Sequence, residues 1–362
     1  MKELSRPLSM LLELMKASLH GIAPTPCIFE GATAKDWKTC ARLAAKQGVL
    51  ILASEGLSHL PFRLQPPTKL RISWQLAVEG YEKKYDRYCQ VAEELTNLFL
   101  QHGIRTIVLK GVGLSSYYLI PSHREGGDLD IYTYSVNPEE MSHQEANLLV
   151  EKLMEEKGIT VERDHCDKHS NFVYKGIPIE NHHTFLDVGL CELTSTIEAM
   201  LMERLNPQSV LVGEERRIFI PSNEFNVLFV FYHTVRHYGS GIALHHLYDW
   251  ACLIKHFGLL IPESLSEPHF RNGIKALTDL SNRYLGVNIS VSGGKSLADE
   301  ILEEMIDPIL VKELPQKHWE RIKFRVHRFC RIIQIENSIL YSPWWKNTRL
   351  RSKIRNLFLN NM

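Results

Sequence analysis

Asp128 and Asp130 are separated by one leucine in Arg124-Glu125-Gly126-Gly127-Asp128-Leu129-Asp130-Ile131-Tyr132, a run that reads as the start of a β-strand just after a Gly-Gly turn. Residues i and i+2 of a strand project to the same face. The spacing therefore aims both carboxylates one way and sends Leu129 into the core. Hard oxygen donors held together on a rigid strand suit Mg²⁺, which takes one or two carboxylates and completes its shell with water and substrate phosphates. The chemistry this predicts is phosphoryl or nucleotidyl transfer. In it, two ions about 4 Å apart, with Mn²⁺ as the alternative to Mg²⁺, stabilise the attacking and leaving oxygens of an in-line displacement.

Such a reaction is mostly positioning and charge neutralisation, so it needs a third carboxylate on a neighbouring strand and donors for the phosphates. Upstream, Lys110-Gly111-Val112-Gly113 reads as a turn between a β-rich run at 104–109 and a short helix at 114–120. Gly111 and Gly113 would open backbone N–H groups at that turn toward the β- and γ-phosphates of a triphosphate. Ser115 would add a hydroxyl, and Lys110 and Arg124 would set cations beside the phosphate path. For the third carboxylate the candidates are Glu180, in Ile177-Pro178-Ile179-Glu180-Asn181-His182-His183, and Asp187, in Phe185-Leu186-Asp187-Val188. Glu180 is preferred because its run reads as the sheet strand that follows a hairpin. His182, Arg236 and His237 are candidates for lining the cleft. His233 and His237 stand at i and i+4, on one face of a helix, a spacing that permits zinc binding. No glutamate follows His233 in the His-Glu-x-x-His manner, so a metallohydrolase built on this pair is the weakest option.

The elements that must position these residues fall into three regions: 1–100, 101–190 and 191–362. The first is helical. Leu8, Leu11, Leu12 and Met15 keep helical spacing, as do Trp37, Cys40, Ala41 and Ala44 before a stop at Gly48. A long helix is expected over 74–101, with Glu82, Lys83, Lys84, Asp86 and Arg87 as its solvated face. The middle region changes period: strands at 104–109, 128–134, 159–163, 171–174 and 177–181, and a helix opened by Asn137-Pro138-Glu139-Glu140, with Asn137 as N-cap, running to Gly158. From Thr194 onward the pattern is helical again, with aromatic-rich helices at 225–237 and 244–257. The stretch 317–362 carries eleven Lys/Arg against two Glu, with apolar residues at helical spacing, and reads as a packed helix with a cationic face. The fold expected is α+β: a small mixed sheet flanked by N- and C-terminal helical regions, with the site in a cleft between the sheet and the C-terminal helices.

Composition bounds the rest. With 42 basic and 42 acidic residues, no global charge advertises nucleic acid or membrane, and no apolar run is long enough to span a bilayer. Seven scattered cysteines without a Cys-x-x-Cys pair point to free thiols and a cytoplasmic location.

The order "strand, Lys-Gly, short helix, Gly-Asp-x-Asp, helix, strands, Glu-x-His" resembles the DNA polymerase β-type nucleotidyltransferase superfamily, and more narrowly its bacterial branch of uncharacterised nucleotidyltransferases. Residues 107–131 carry the likeness, supported by Lys168-His169-Ser170-Asn171-Phe172-Val173-Tyr174, Glu180-Asn181-His182, Phe231-Tyr232-His233-Thr234-Val235-Arg236-His237 and Leu247-Tyr248-Asp249-Trp250; it spans about residues 30–260. The resemblance implies transfer of a nucleoside monophosphate from an NTP to an acceptor hydroxyl or amine on a small molecule, protein or RNA. One departure stands out: the superfamily usually writes Gly-Ser or Gly-Gly at the first turn, and here Val112 follows Gly111. That residue is the hint for an alternative, a catalytically silent binding or regulatory module of the same fold. A further alternative is a toxin–antitoxin or defence-type nucleotidyltransferase acting on RNA or protein.

Overall fold

The structure, a computed structural model, describes residues 4–163, 168–186, 192–237, 242–260, 268–292 and 298–306. The chain divides into two compact units: one holds Arg6–Ala41 and Val49–Asn226, the other Arg42–Gly48 and the described residues from Val227 onward.

The first unit opens with helices α1 (Arg6–His20), α2 (Ala34–Lys46, shared with the second unit), α3 (Leu50–Ser58) and α4 (Thr68–Leu100). Leu8, Met10, Leu11, Leu12, Leu14 and Met15 of α1 are all buried. A side chain at Gly56 of α3 would place its Cβ 2.1 Å from the Leu14 carbonyl oxygen, so glycine there lets the two helices touch. Helix α4 starts six residues before the expected position, directly after Pro67. None of residues 68–73 is buried, so the apolar period that marks a helix in sequence begins only at Trp74.

The expected mixed sheet follows. Its elements are β1 (Ile104–Val108), a one-turn helix α5 (Val112–Ser115), β2 (Leu129–Ser135), α6 (His143–Glu156), β3 (Glu162–Arg163), β4 (His169–Tyr174) and β5 (Ile177–His182). The strand order is β1-β2-β5-β4-β3, with β2 and β5 parallel and the other pairs antiparallel. The β4–β5 turn is Lys175-Gly176, both with positive φ, the two-residue type that matches strand twist. The helix expected at 114–120 is replaced by α5 and a 3₁₀ turn at Pro121–His123. Helix α6 also begins later than expected. Asn137 closes an isolated turn that accepts the Glu140 and Met141 N–H groups, and Ser142 is the true N-cap, with Glu145 completing a capping box.

After α7 (Glu192–Glu203) comes a hairpin, β6 (Gln208–Val212) and β7 (Arg216–Ile220), where only helix was expected. Helix α8 (Asn223–His237) leads into the second unit, which also contains α9 (Leu244–Phe257), α10 (Pro268–Leu280) and α11 (Ala298–Ile306). Phe231 and Trp250 pack obliquely in its core at 5.8 Å between centroids, and Leu247, Ile254 and Leu277 of the same unit are buried too. Gln47 ties the unit together: its amide donates to the Met305 carbonyl and its Oε1 accepts the Leu244 N–H. The basic stretch 317–362, Asp187 and the side chain of Arg236 lie outside the described residues. No helix among those described is long and apolar enough to cross a membrane. Cys27, Cys40, Cys89 and Cys252 are free thiols, and burial pushes Cys40 and Cys89 up to about 12.

Candidate active site

Strand β2 lies between β1 and β5, and every one of its residues but Tyr134 is buried, so side chains on both of its faces are fixed by packing. Its parallel register with β5 sets Asp130 directly opposite Glu180. Three residues further along β2, the Thr133 hydroxyl lies 2.9 Å from both the Asn147 and the Asn181 Oδ1, pinning α6, β2 and β5 in that register.

Asp130 is almost fully buried, and one of its oxygens faces two partners: Lys110 Nζ at 2.8 Å and His182 Nε2 at 3.0 Å. Burial alone would raise its pKa, but the Lys110 cation and the His182 contact outweigh it and hold the carboxyl well below its ordinary value. Burial pushes His182 the other way, down to about 4, so it serves as a neutral donor. Glu180 is half-buried, 3.7 Å from His182 Nε2, and its carboxyl is in hydrogen-bonding contact with that of Asp128. Burial first, and then the charges of Asp130 and Asp128, raise Glu180 to about 7.

The turn beside these acids is Lys110-Gly111-Val112-Gly113. Gly111 has φ 58° and ψ −118°, and the Gly113 N–H donates to the Lys110 carbonyl at 2.9 Å, which together define a type II′ turn. Only glycine adopts that conformation without strain. A Cβ on Gly113 would fall 2.4 Å from the Val108 carbonyl oxygen, so this glycine is required for packing. The loop entering β2 is clamped from the helical side. His123 bridges Glu55 of α3 (2.8 Å) and Glu82 of α4 (3.2 Å), Glu125 accepts the Ile51 N–H, Lys84 donates to the Gly126 carbonyl, and the Tyr88 hydroxyl donates to the Gly127 carbonyl. These bonds hold the Gly-Gly turn against Gly111 and fix where Asp128 begins.

Between α4 and the two glycine turns lies a pocket lined by Tyr81, Lys84, Tyr85, Tyr88, Gly111, Val112, Arg124 and Gly126. Lys84 sits 5.2 Å above the Tyr88 ring and 6.0 Å from that of Tyr81. Of the residues singled out in sequence, Lys110, Gly111, Arg124, Asp128, Asp130, Glu180 and His182 come together around this turn and the adjoining β2–β5 pair. Ser115 does not reach it. Its side chain is fully buried and its hydroxyl is engaged with the Val112 carbonyl and Tyr85. His237 lies in the second unit with His233 and His246. Sequence reasoning missed Lys84, Tyr81 and Tyr88, because the charges around them read as a solvated helix face; the Tyr81/Lys84/Tyr88 spacing, one helical ridge, was the available signal.

The donor set fits a divalent cation. Carboxylate oxygens of Asp130 and Glu180 lie within 4.8 Å of each other, Asp128 adjoins Glu180, and the nearby His182 nitrogen is the donor that orients Asp130. Three clustered carboxylates, one of which retains a proton up to about 7, form a site short of positive charge.

Comparison with known proteins gives one family. Residues 33–268 match the model of a family described as uncharacterised nucleotidyltransferase. The comparison with curated proteins finds no match. Among solved structures, an antigenic nucleotidyltransferase-like protein from Paracoccidioides brasiliensis aligns with 12% identity and a TM-score of 0.41, over 57% of this chain and 95% of that one.

Proposed function

Because the chain belongs to the uncharacterised nucleotidyltransferase family, we propose that it transfers a nucleoside monophosphate from an NTP to an acceptor hydroxyl or amine. The observation that carries this reading is the convergence of Asp128, Asp130 and Glu180 beside a glycine turn and a cationic pocket. Lys84 and Arg124 bind the triphosphate at the pocket, with Gly111 allowing its close approach to the backbone. Tyr81 and Tyr88 offer ring faces to the base or ribose. Lys110 holds Asp130 ionised, and the His182 N–H keeps that carboxylate oriented. Divalent cations, Mg²⁺ or Mn²⁺, held by Asp128, Asp130 and Glu180 would neutralise charge on the attacking and leaving oxygens. Glu180 takes the acceptor proton as the acceptor oxygen or nitrogen bonds to the α-phosphorus and pyrophosphate leaves.

The test is calorimetric titration of each NTP, with and without Mg²⁺ or Mn²⁺, into the wild type and an Asp128→Ala/Glu180→Gln variant. That variant leaves the buried Asp130–Lys110 pair intact. Metal-dependent binding by the wild type that the variant loses supports the assignment. A folded wild type that binds no NTP with either ion overturns it.

A further inference from the structure

The helix face carrying His233 and His237 acquires a third imidazole that sequence spacing did not associate with it. His233 and His237 are one turn apart at the end of α8, and His246 comes from the first turn of α9. The three rings pack mutually, with centroids 4.7 Å (233–237), 5.5 Å (233–246) and 4.5 Å (237–246) apart. One ring nitrogen from each lies within 4.8 Å of the others. We propose that His233, His237 and His246 form a binding site for a divalent transition metal, Zn²⁺ in the first instance, within the second unit and separate in its ligands from the carboxylate cluster.

The donor chemistry selects the ion. Three neutral imidazoles are borderline-soft ligands suited to Zn²⁺ and its first-row neighbours, and poorly suited to Mg²⁺ or Ca²⁺, which demand oxygen. Three protein nitrogens leave a fourth tetrahedral position for water or another ligand. The approach from two helices also suits a staple. His237 ends α8 and His246 lies in the opening turn of α9, so one ion would tie the end of one helix to the start of the next. Beside them His245 is anchored, its Nδ1–H donating to the Gln47 carbonyl at 3.1 Å, and its ring packs 3.9 Å from that of His246.

His246 already has one bond that loading must replace. Its Nδ1 accepts the Ala243 N–H at 3.0 Å, which places the proton of the neutral ring on Nε2. Coordination at Nε2 moves that proton to Nδ1 and gives up the Ala243 contact. Ala243 is partly exposed at the start of α9, and its N–H would then turn to water. The exchange is one capping hydrogen bond against three metal–nitrogen bonds, and it has its own signature, faster hydrogen exchange at the Ala243 amide.

The experiment uses the full chain, stripped with chelator and titrated with Zn²⁺, with Co²⁺ as a spectroscopic stand-in for ligand type. The wild type is expected to bind one equivalent of Zn²⁺ that Asp128→Ala/Glu180→Gln still binds. His233→Ala, His237→Ala and His246→Ala should each weaken that binding at least tenfold, and Co²⁺ bound to the wild type should show tetrahedral bands that these variants lack. Melting in chelator checks their folding, and His237→Gln and His246→Gln replace any alanine variant that does not fold. Zn²⁺ affinity unchanged in the histidine variants, loss of the equivalent in the carboxylate variant, or no binding by the wild type each overturns the assignment.

Discussion

Glu180→Gln should stabilise the metal-free protein, and only at alkaline pH. The folded carboxyl titrates at about 7 against an ordinary 4.5, because burial and the neighbouring Asp130 and Asp128 disfavour its charge. A raised acid binds its proton more tightly folded than unfolded. Its favourable contribution is therefore complete below pH 4.5 and is lost progressively as pH rises through about 7. At full burial that displacement is worth about 3 kcal/mol. The Glu180 side chain is 30% exposed, so solvent screening reduces it to about 1.5 kcal/mol. Glutamine does not titrate and keeps the shape of the side chain. Denaturant unfolding in chelator should thus show wild type and variant nearly equal at pH 5, with the variant ahead by about 1.5 kcal/mol at pH 8.5. In a thermal scan the alkaline gain should appear as a rise of about 2–3 °C. Adding Mn²⁺ at pH 8.5 should reverse the order by stabilising the wild type more than the variant. An equal effect at both pH values, or no gain at pH 8.5, would refute the idea that these carboxylates crowd one another.

The remaining predictions concern the neighbours of Glu180. Asp130→Ala should cost the metal-free protein about 3 kcal/mol by chemical denaturation, because it strands the Lys110 ammonium over a buried site. Since the Asp130 carboxyl is depressed, that difference should shrink as pH falls below 4, whereas Asp128→Ala should cost little and lift part of the charge from Glu180. Gly113→Ala should destabilise by about 2 kcal/mol or more, since the obstructing atom is the Val108 carbonyl and not a mobile side chain. Lys84→Met should raise the NTP dissociation constant about tenfold in calorimetry, while circular dichroism stays that of the wild type.

The legible parts of this fold were those where local chemistry and tertiary structure agree. The Asp-x-Asp strand, the Lys175-Gly176 hairpin and the Glu180 strand each carry their own turn or period, and all formed where expected. The β6–β7 hairpin was hidden although its signals existed. Val210 and Val212 alternate with exposed residues, Gly213 turns with positive φ, and Glu215 follows at φ 59°, but strands of five residues give the alternation too little length to outweigh the helical segments on either side. At the start of α6 two N-caps competed. Asn137-Pro138 lost because its turn closes on itself, while Ser142 and Glu145 satisfy each other's backbone groups. The pocket and the histidine cluster were illegible for a different reason. Lys84 meets Gly126, and His246 meets His237, only through packing between elements, and spacing along one chain records neither.

The same packing argument separates two roles within the acidic cluster. Asp130 is buried, pinned by Lys110 and His182 and opposed to Glu180 by the sheet register, so it belongs to the scaffold as much as to the site. Asp128 and Glu180 are more exposed, and their contact is a hydrogen bond while Glu180 keeps its proton and a repulsion once it ionises above about 7. With His182 kept neutral, three carboxylates and one lysine leave a formal charge of −2 once Glu180 ionises. Under the proposed nucleotidyl transfer, a strand pair that concentrates that charge, against a pocket furnished with Lys84 and Arg124, would give up stability without ligand and recover it when cations and polyphosphate bind together. The pH-dependent gain predicted for Glu180→Gln is the measure of how much stability is held in reserve for that event.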